Sequence, residues 1–114
     1  MKRLTAFLAV AATLACAQIV LADGQNVSTN EWATKLSGAE CAVQASSALT
    51  SSGLKHVTSG KVHKSGTVVL YADQGVYQAT VFCLDNHLAI EITGPEDKKA
   101  SDLIDAFSKA WDAQ

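Results

Sequence analysis

Cysteine and histidine are the residues of this chain whose side chains most readily bind metal ions or attack substrates. The chain has three of each, namely Cys16, Cys41, Cys83, His56, His63 and His87. It contains no C-x-x-C, and the histidines lack the spacings that zinc ligands usually show. We therefore predict no metal site and no cofactor.

The sequence also lacks the motifs of common hydrolases and nucleotide-binding enzymes. There is no G-x-S-x-G, no H-E-x-x-H and no phosphate-binding loop. We predict no catalytic residues and no enzymatic activity. One alternative stays open, which is a small envelope enzyme or a redox or metal protein that uses Cys41, Cys83 and a histidine.

The first residues have the layout of a secretory signal peptide. A cationic Met1-Lys-Arg3 start precedes an apolar run without a charged side chain until Asp23. Val20-Leu-Ala22 has residues that signal peptidase accepts, and polar residues follow it. We predict a signal peptide over residues 1–22, a flexible N-terminal segment over 23–27 and a single domain over 28–114. Export would make the protein periplasmic or secreted.

Two other processing routes fit the same N-terminal residues. Ala15-Cys-Ala17 matches the A-x-A cleavage pattern, although a cut there would leave an apolar N-terminus. Thr13-Leu-Ala-Cys16 resembles a lipoprotein acylation site with weak flanking residues. We expect membrane attachment only if Cys16 is lipidated.

A cut after Ala22 fixes the composition of the exported chain. It leaves 92 of the 114 residues, with seven lysines and no arginine against eleven carboxylates, a net charge of −4 with histidine neutral. Such a domain is a poor nucleic-acid binder, so we predict no nucleic-acid partner. The cut also leaves two cysteines, and an even pair in an oxidising compartment favours a Cys41–Cys83 disulfide over a reactive thiol or metal site.

The sequence pattern predicts that the domain begins with a long helix. Ser28-Thr-Asn-Glu31 has the form of a capping box, and Val27 and Trp32 flank it as a hydrophobic staple would. Helical spacing of apolar and small residues continues to about Ser52, before Gly53. The small residues would allow this helix to lie close to a sheet, as a helix-to-strand disulfide requires.

A sheet and a second helix are predicted to follow. Residues 67–71, 76–84 and 87–93 are rich in β-branched and aromatic side chains and are separated by turn signals, and residues 55–64 form a less regular fourth strand. After Gly94-Pro95, apolar residues recur at helical spacing up to Trp111. The predicted class is α+β, with an N-terminal helix, an antiparallel three- or four-stranded meander and a C-terminal helix, both helices on one face of the sheet.

Three segments carry a resemblance to known proteins: Ala39-Glu-Cys-Ala-Val43, Ala79-Thr-Val-Phe-Cys83 and Ile92-Thr-Gly-Pro95. Their arrangement resembles small exported bacterial proteins of unknown function that have one cysteine on the first helix and one on a central strand. The resemblance covers most of the exported chain. It implies the placement of the two cysteines and no activity.

One segment has a charge opposite to that of the whole domain. Residues 55–64 contain no acid but include Lys55, His56, Lys61, His63 and Lys64. Lysines along an exposed sheet edge discourage pairing with other chains, which is one explanation. The other is a positive patch that binds an acidic partner or an anionic envelope surface, assisted by the histidines at lower pH.

These observations favour a binding role over a catalytic one. We expect a small, disulfide-stapled, periplasmic or secreted domain that binds another envelope or secreted protein, as an inhibitor or an immunity protein does. The sequence does not indicate an oligomeric state.

Overall fold

Five strands form one antiparallel sheet, and two helices pack on one of its faces. The computed structural model describes residues 26–62 and 64–114. The elements are β1 (Asn26–Ala33), α1 (Gly38–Ser51), β2 (Lys55–Lys61), β3 (Val68–Gln74), β4 (Tyr77–Leu84), β5 (His87–Gly94) and α2 (Asp97–Asp112). The strand order is β1-β5-β4-β3-β2, so β1 and β2 are the two edges of the sheet. The predicted signal peptide and Cys16 lie outside the described residues.

The prediction of an N-terminal helix over residues 28–52 is wrong in its first third, because Asn26–Ala33 is a strand. Every residue of β1 is paired with β5, from Asn26 opposite Gly94 to Ala33 opposite His87. Asn26 and Val27, assigned above to a flexible segment, belong to this strand. Side chains alternate between the two faces of a strand, so Val27 and Trp32 lie on opposite faces and do not form a staple.

The helix begins later, at a second S-x-x-E pattern. Ser37 Oγ accepts a hydrogen bond from the Glu40 amide at 3.1 Å, and Glu40 Oε1 accepts one from the Ser37 amide at 3.0 Å. This reciprocal pair is a capping box that satisfies two amides at the helix start. Asp85 Oδ1 accepts a further hydrogen bond from the Gly38 amide at 2.9 Å. Three polar side chains therefore fix the first turn of α1.

The predicted fold class also needs correction in its sheet. The sheet has five strands rather than three or four, and α1 connects β1 to β2 instead of preceding all the strands. After the hairpins from β2 to β5, β5 pairs with β1, the first strand of the chain. The chain therefore forms an α+β sheet with its first strand beside its last.

The core lies between the sheet and the two helices. Helix α1 packs on β2, β3 and β4, whereas α2 packs on β1, β5 and α1. The buried face of α1 is formed by Gly38, Cys41, Ala45, Ala48 and Leu49. The buried face of α2 is formed by Ala100, Leu103, Ile104, Phe107 and Trp111. These α2 residues are the ones whose spacing predicted a helix with an apolar face.

A disulfide joins Cys41 of α1 to Cys83 of β4. Both residues are fully buried, their Cα atoms are 5.7 Å apart, and they are 42 positions apart in the chain. Cys83 lies on the covered face of β4, in line with the alternation of buried residues along that strand. The bond therefore fastens the helix to the middle of the sheet.

Gly38 lies where α1 comes closest to the loop that precedes β3 and to the end of β4. A Cβ atom at this position would be 2.4 Å from the Gly66 carbonyl oxygen and 3.1 Å from that of Cys83. Both neighbours are backbone atoms, which cannot rotate out of the way. Only glycine allows this approach.

We therefore predict that Gly38→Ala destabilises the protein. Overpacking of this kind costs about 1–3 kcal/mol of unfolding free energy, which chemical denaturation of the oxidised protein would measure. Gly60→Ala is the matched control, because a Cβ there would meet nothing within 4 Å. Equal stability of the two variants would contradict the close approach.

Removal of the disulfide should cost more. Replacing Cys41 and Cys83 together with Ala opens a crosslink between residues 42 apart, and the chain-entropy model gives a loss of about 4 kcal/mol. Chemical denaturation of the double variant measures the loss. Titratable Cys41 and Cys83 thiols in the unreduced protein would contradict the prediction.

Candidate binding surface

The basic segment identified in the sequence lies at an edge of the sheet. Among the described residues, strand β2 pairs with β3 alone, and its side chains are exposed except for the partly buried Val57. Lys55 and Lys61 lie at the two ends of β2, and Lys64 lies in the turn after it with a φ of 64°. His63 lies outside the described residues. The structure therefore brings three lysines to one edge.

The two lysines of β2 lie on different faces of the sheet. Lys61 is opposite Val68, whose side chain is buried on the face that the helices cover. Lys55 is opposite Asp73, which belongs to the uncovered face. The lysines therefore line the edge from both sides and do not form a patch on one face.

A β-bulge separates Lys55 from the regular part of β2. Between Lys55 and Thr58 the register shifts, so that His56 and Val57 occupy the space opposite Ala72. His56 adopts a left-handed conformation with a φ of 56°, which is uncommon for a residue with a Cβ atom. Its Nδ1 atom lies 3.0 Å from Asp73 Oδ1 and 3.2 Å from Oδ2. One of the two patch histidines is thus engaged with a carboxylate of the domain itself.

An apolar groove runs between β2 and α1. Its volume is about 340 Å³, and it is lined by Ala42, Val43, Ser46, Val57, Thr58, Ser59 and Leu70. Val43 is 74% exposed although it is an aliphatic residue on the helix flank that faces the groove. The small residues of α1 leave this space open, because Ala42 and Ser46 do not extend over the strand.

The face of the sheet opposite the helices is uncovered. It presents the exposed Tyr71, Val27 and Leu84 and the partly exposed Phe82 and Val69, together with small and polar residues. Near β1, His87 Nε2 lies 2.8 Å from Glu31 Oε1, and both side chains are substantially exposed. Exposed pairs of this kind contribute about 0–1 kcal/mol to stability.

The chemistry-bearing residues of the described chain do not converge on a metal site. Cys41 and Cys83 are joined and buried, so neither has a free thiolate to offer. No group of three or more histidine, cysteine or carboxylate residues within 26–62 and 64–114 is arranged to hold a metal ion. The perturbed titratable group in this part of the chain is Lys98 of α2, whose pKa is raised because its ammonium donates a hydrogen bond to Asp102 at 2.9 Å.

The groove was missed by the sequence analysis. The predicted helix over residues 28–52 contained both Trp32 and Val43, but α1 begins at Gly38 and does not include Trp32. Once α1 is taken to begin at Gly38, Cys41, Ala45, Ala48 and Leu49 define its buried face. At 100° per residue, Val43 lies well away from that face. A helix predicted to begin at Gly38 would therefore have indicated that Val43 is exposed.

Comparisons with known proteins do not assign a family to this chain. No protein-family model matches the chain, and a search of curated proteins finds no relative.

The left-handed bulge residue allows a direct test of the β2 geometry. His56→Gly and His56→Ala both lose the contact with Asp73, but only alanine keeps a Cβ atom in a left-handed conformation. That conformation costs about 1–2 kcal/mol for a residue other than glycine, so the glycine variant should be the more stable by about 1 kcal/mol. Chemical denaturation of the two variants measures the difference. A more stable alanine variant would contradict the bulge.

Proposed function

We propose that this protein is a non-catalytic protein-binding module of the cell envelope or the secreted fraction, and that it binds its partner along β2. The observation that carries the proposal is the coincidence of three features at one place: the outer edge of the last strand of the sheet, an apolar groove and three lysines. Val43 lies beside the partly buried Val57 in this groove, and burial of its exposed aliphatic side chain by a partner would favour association.

The disulfide and the N-terminal sequence both support the proposed compartment. Disulfides are typical of extracellular and periplasmic proteins and rare in reducing compartments. The Cys41–Cys83 disulfide therefore favours an extracellular or periplasmic location. The signal-peptide layout of residues 1–22 supports the same location. Within the described residues, neither helix has the length and apolar character needed to cross a membrane.

The charge at the edge supports an acidic partner. A chain cut after Ala22 would have a net charge of −4, yet residues 55–64 contain three lysines and no acid. A negatively charged partner is repelled by the domain as a whole and attracted at this edge, so the edge selects the orientation of encounter. An acidic envelope or secreted protein is therefore the proposed partner.

We predict that replacing Lys55, Lys61 and Lys64 with Gln slows association with such a partner at low salt. The partner is obtained by recovery from the envelope fraction with the exported protein as bait, and association is measured by surface plasmon resonance. The effect should disappear at high salt, because exposed charges are screened beyond about 8–10 Å near physiological ionic strength. The fold should be unchanged, since all three side chains are exposed.

A second triple variant provides the matched control. Lys35, Lys99 and Lys109 are also exposed and lie away from β2, and their replacement with Gln removes the same charge from the domain. This control should keep the wild-type association rate at low salt, apart from the small effect of net charge. If both triple variants behave alike, the lysines of β2 serve only to discourage edge pairing.

A further inference from the structure

We infer that β2 binds an extended segment of its partner by strand addition, and that this segment carries an acidic residue two positions before an apolar one. The inference rests on the proposed function and specifies how the partner is recognised. It follows from the direction of the backbone groups of β2, from the groove beside it and from the position of Lys61.

The backbone of β2 has hydrogen-bonding groups directed away from the sheet. The Val62 amide donates to the Thr67 carbonyl at 2.8 Å, and these residues continue the β2–β3 register as a hydrogen-bonded pair. Such pairs alternate along an antiparallel ladder, so Gly60 and Thr58 are also bonded to β3. The amide and carbonyl groups of Ser59 and Lys61 therefore point to the open edge, where an added strand can bond to them.

The groove lies on the correct face to receive a side chain of that strand. Ser59 is opposite the buried Leu70 and lines the groove itself. Residues directly opposite each other in a ladder have their side chains on the same face. The partner residue opposite Ser59 therefore places its side chain between Val43 and Val57, where an aliphatic group would cover both.

Lys61 defines the second position of the segment. It lies on the same face as Ser59, two residues farther along β2. In an antiparallel addition, the partner residue opposite Lys61 precedes the residue opposite Ser59 by two positions. A carboxylate there would lie next to the Lys61 ammonium, which gives the order acidic, any residue, apolar.

A second copy of this chain does not fit the same edge. Two β2 strands placed side by side would bring the lysines of both copies together without an acid between them, and opposed like charges destabilise strand pairing. The opposite edge, β1, suits a different ligand, because the groove beside it is lined by Glu31 and Asp112 as well as Trp32. The β2 edge is therefore the one that favours an acidic segment.

The test uses the oxidised protein as the target for selection from a displayed library of random peptides. Enriched peptides should share the order acidic, any residue, apolar. Ser59→Pro should weaken their binding roughly tenfold or more, because it removes an outward amide and obstructs the approaching strand. The substitution leaves the β2–β3 ladder intact, since the Ser59 amide does not bond to β3, and thermal unfolding verifies this. Ser59→Ala keeps the amide and loses only the hydroxyl, so it should bind the enriched peptides markedly more tightly than Ser59→Pro does.

A second pair of variants tests the groove independently of the backbone. Val43→Asp places a charge in the groove and should also weaken binding of the enriched peptides roughly tenfold. Val76→Asp is the matched control, because Val76 is a comparably exposed valine, at 68%, in the turn between β3 and β4. It should leave the affinity unchanged.

Three results would overturn strand addition: no enriched peptides, peptides that bind equally well to the Ser59→Pro protein, or enrichment of basic peptides. These results are distinguishable from failure of the proposed function. A partner whose association depends on the β2 lysines but not on Ser59 or Val43 would retain the binding role and exclude strand addition. A partner that is indifferent to all of these substitutions would exclude both.

Discussion

The attachment of the first turn of α1 to the end of β4 is the constraint on which the rest of the fold depends. The Cys41–Cys83 disulfide, the Asp85 hydrogen bond and the Gly38 contact with backbone act within this short region. The turn after β4 also holds the loop before α1. The Asn86 amide donates a hydrogen bond to the Leu36 carbonyl, and the Asn86 carbonyl accepts one from the Thr34 amide. A covalent bond, a hydrogen bond and a close backbone contact therefore fix the N-terminal end of α1. The distance between the helix and the sheet cannot vary freely.

That fixed distance explains why the two sheet edges differ. Helix α1 meets the sheet mostly through small residues, with Leu49 as its one large buried side chain, so it lies close to β3 and β4 and covers β2 only in part. Helix α2 uses large residues, and Phe107 and Trp111 pack against Trp32 of β1 with ring centroids 6.2 and 6.1 Å apart. Aromatic side chains bury much more area than alanine. Edge β1 is thereby anchored beneath α2, and edge β2 keeps an open apolar groove.

The sequence predicted the elements whose pattern is local and strong. The three central strands show alternation, and α2 shows a regular apolar stripe, so their positions and buried faces could be predicted. Strand β1 could not, because its covered face carries Asn26, Ser28 and Asn30 with Trp32 as its one large apolar side chain, and its place in the sheet depends on β5, more than fifty positions later. Two S-x-x-E patterns compete in this region, and only tertiary pairing shows that Ser37 and Glu40 form the capping box. The basic segment at β2 could be predicted from its charge alone. The groove could not, because its position depends on where α1 begins.

The two explanations for the β2 lysines, protection and recognition, do not conflict physically. An unpaired edge attracts any extended chain through its backbone groups, which carry no sequence information. Lysines remove part of that attraction for neutral and basic strands, including the β2 strand of a second copy, and increase it for strands with carboxylates. The His56 bulge limits the regular edge to the few residues after Thr58, so an added strand makes only a small number of backbone hydrogen bonds. With so few bonds available, the side chains opposite Ser59 and Lys61 must supply much of the affinity, and the same charges that prevent non-specific pairing then determine which segment is accepted.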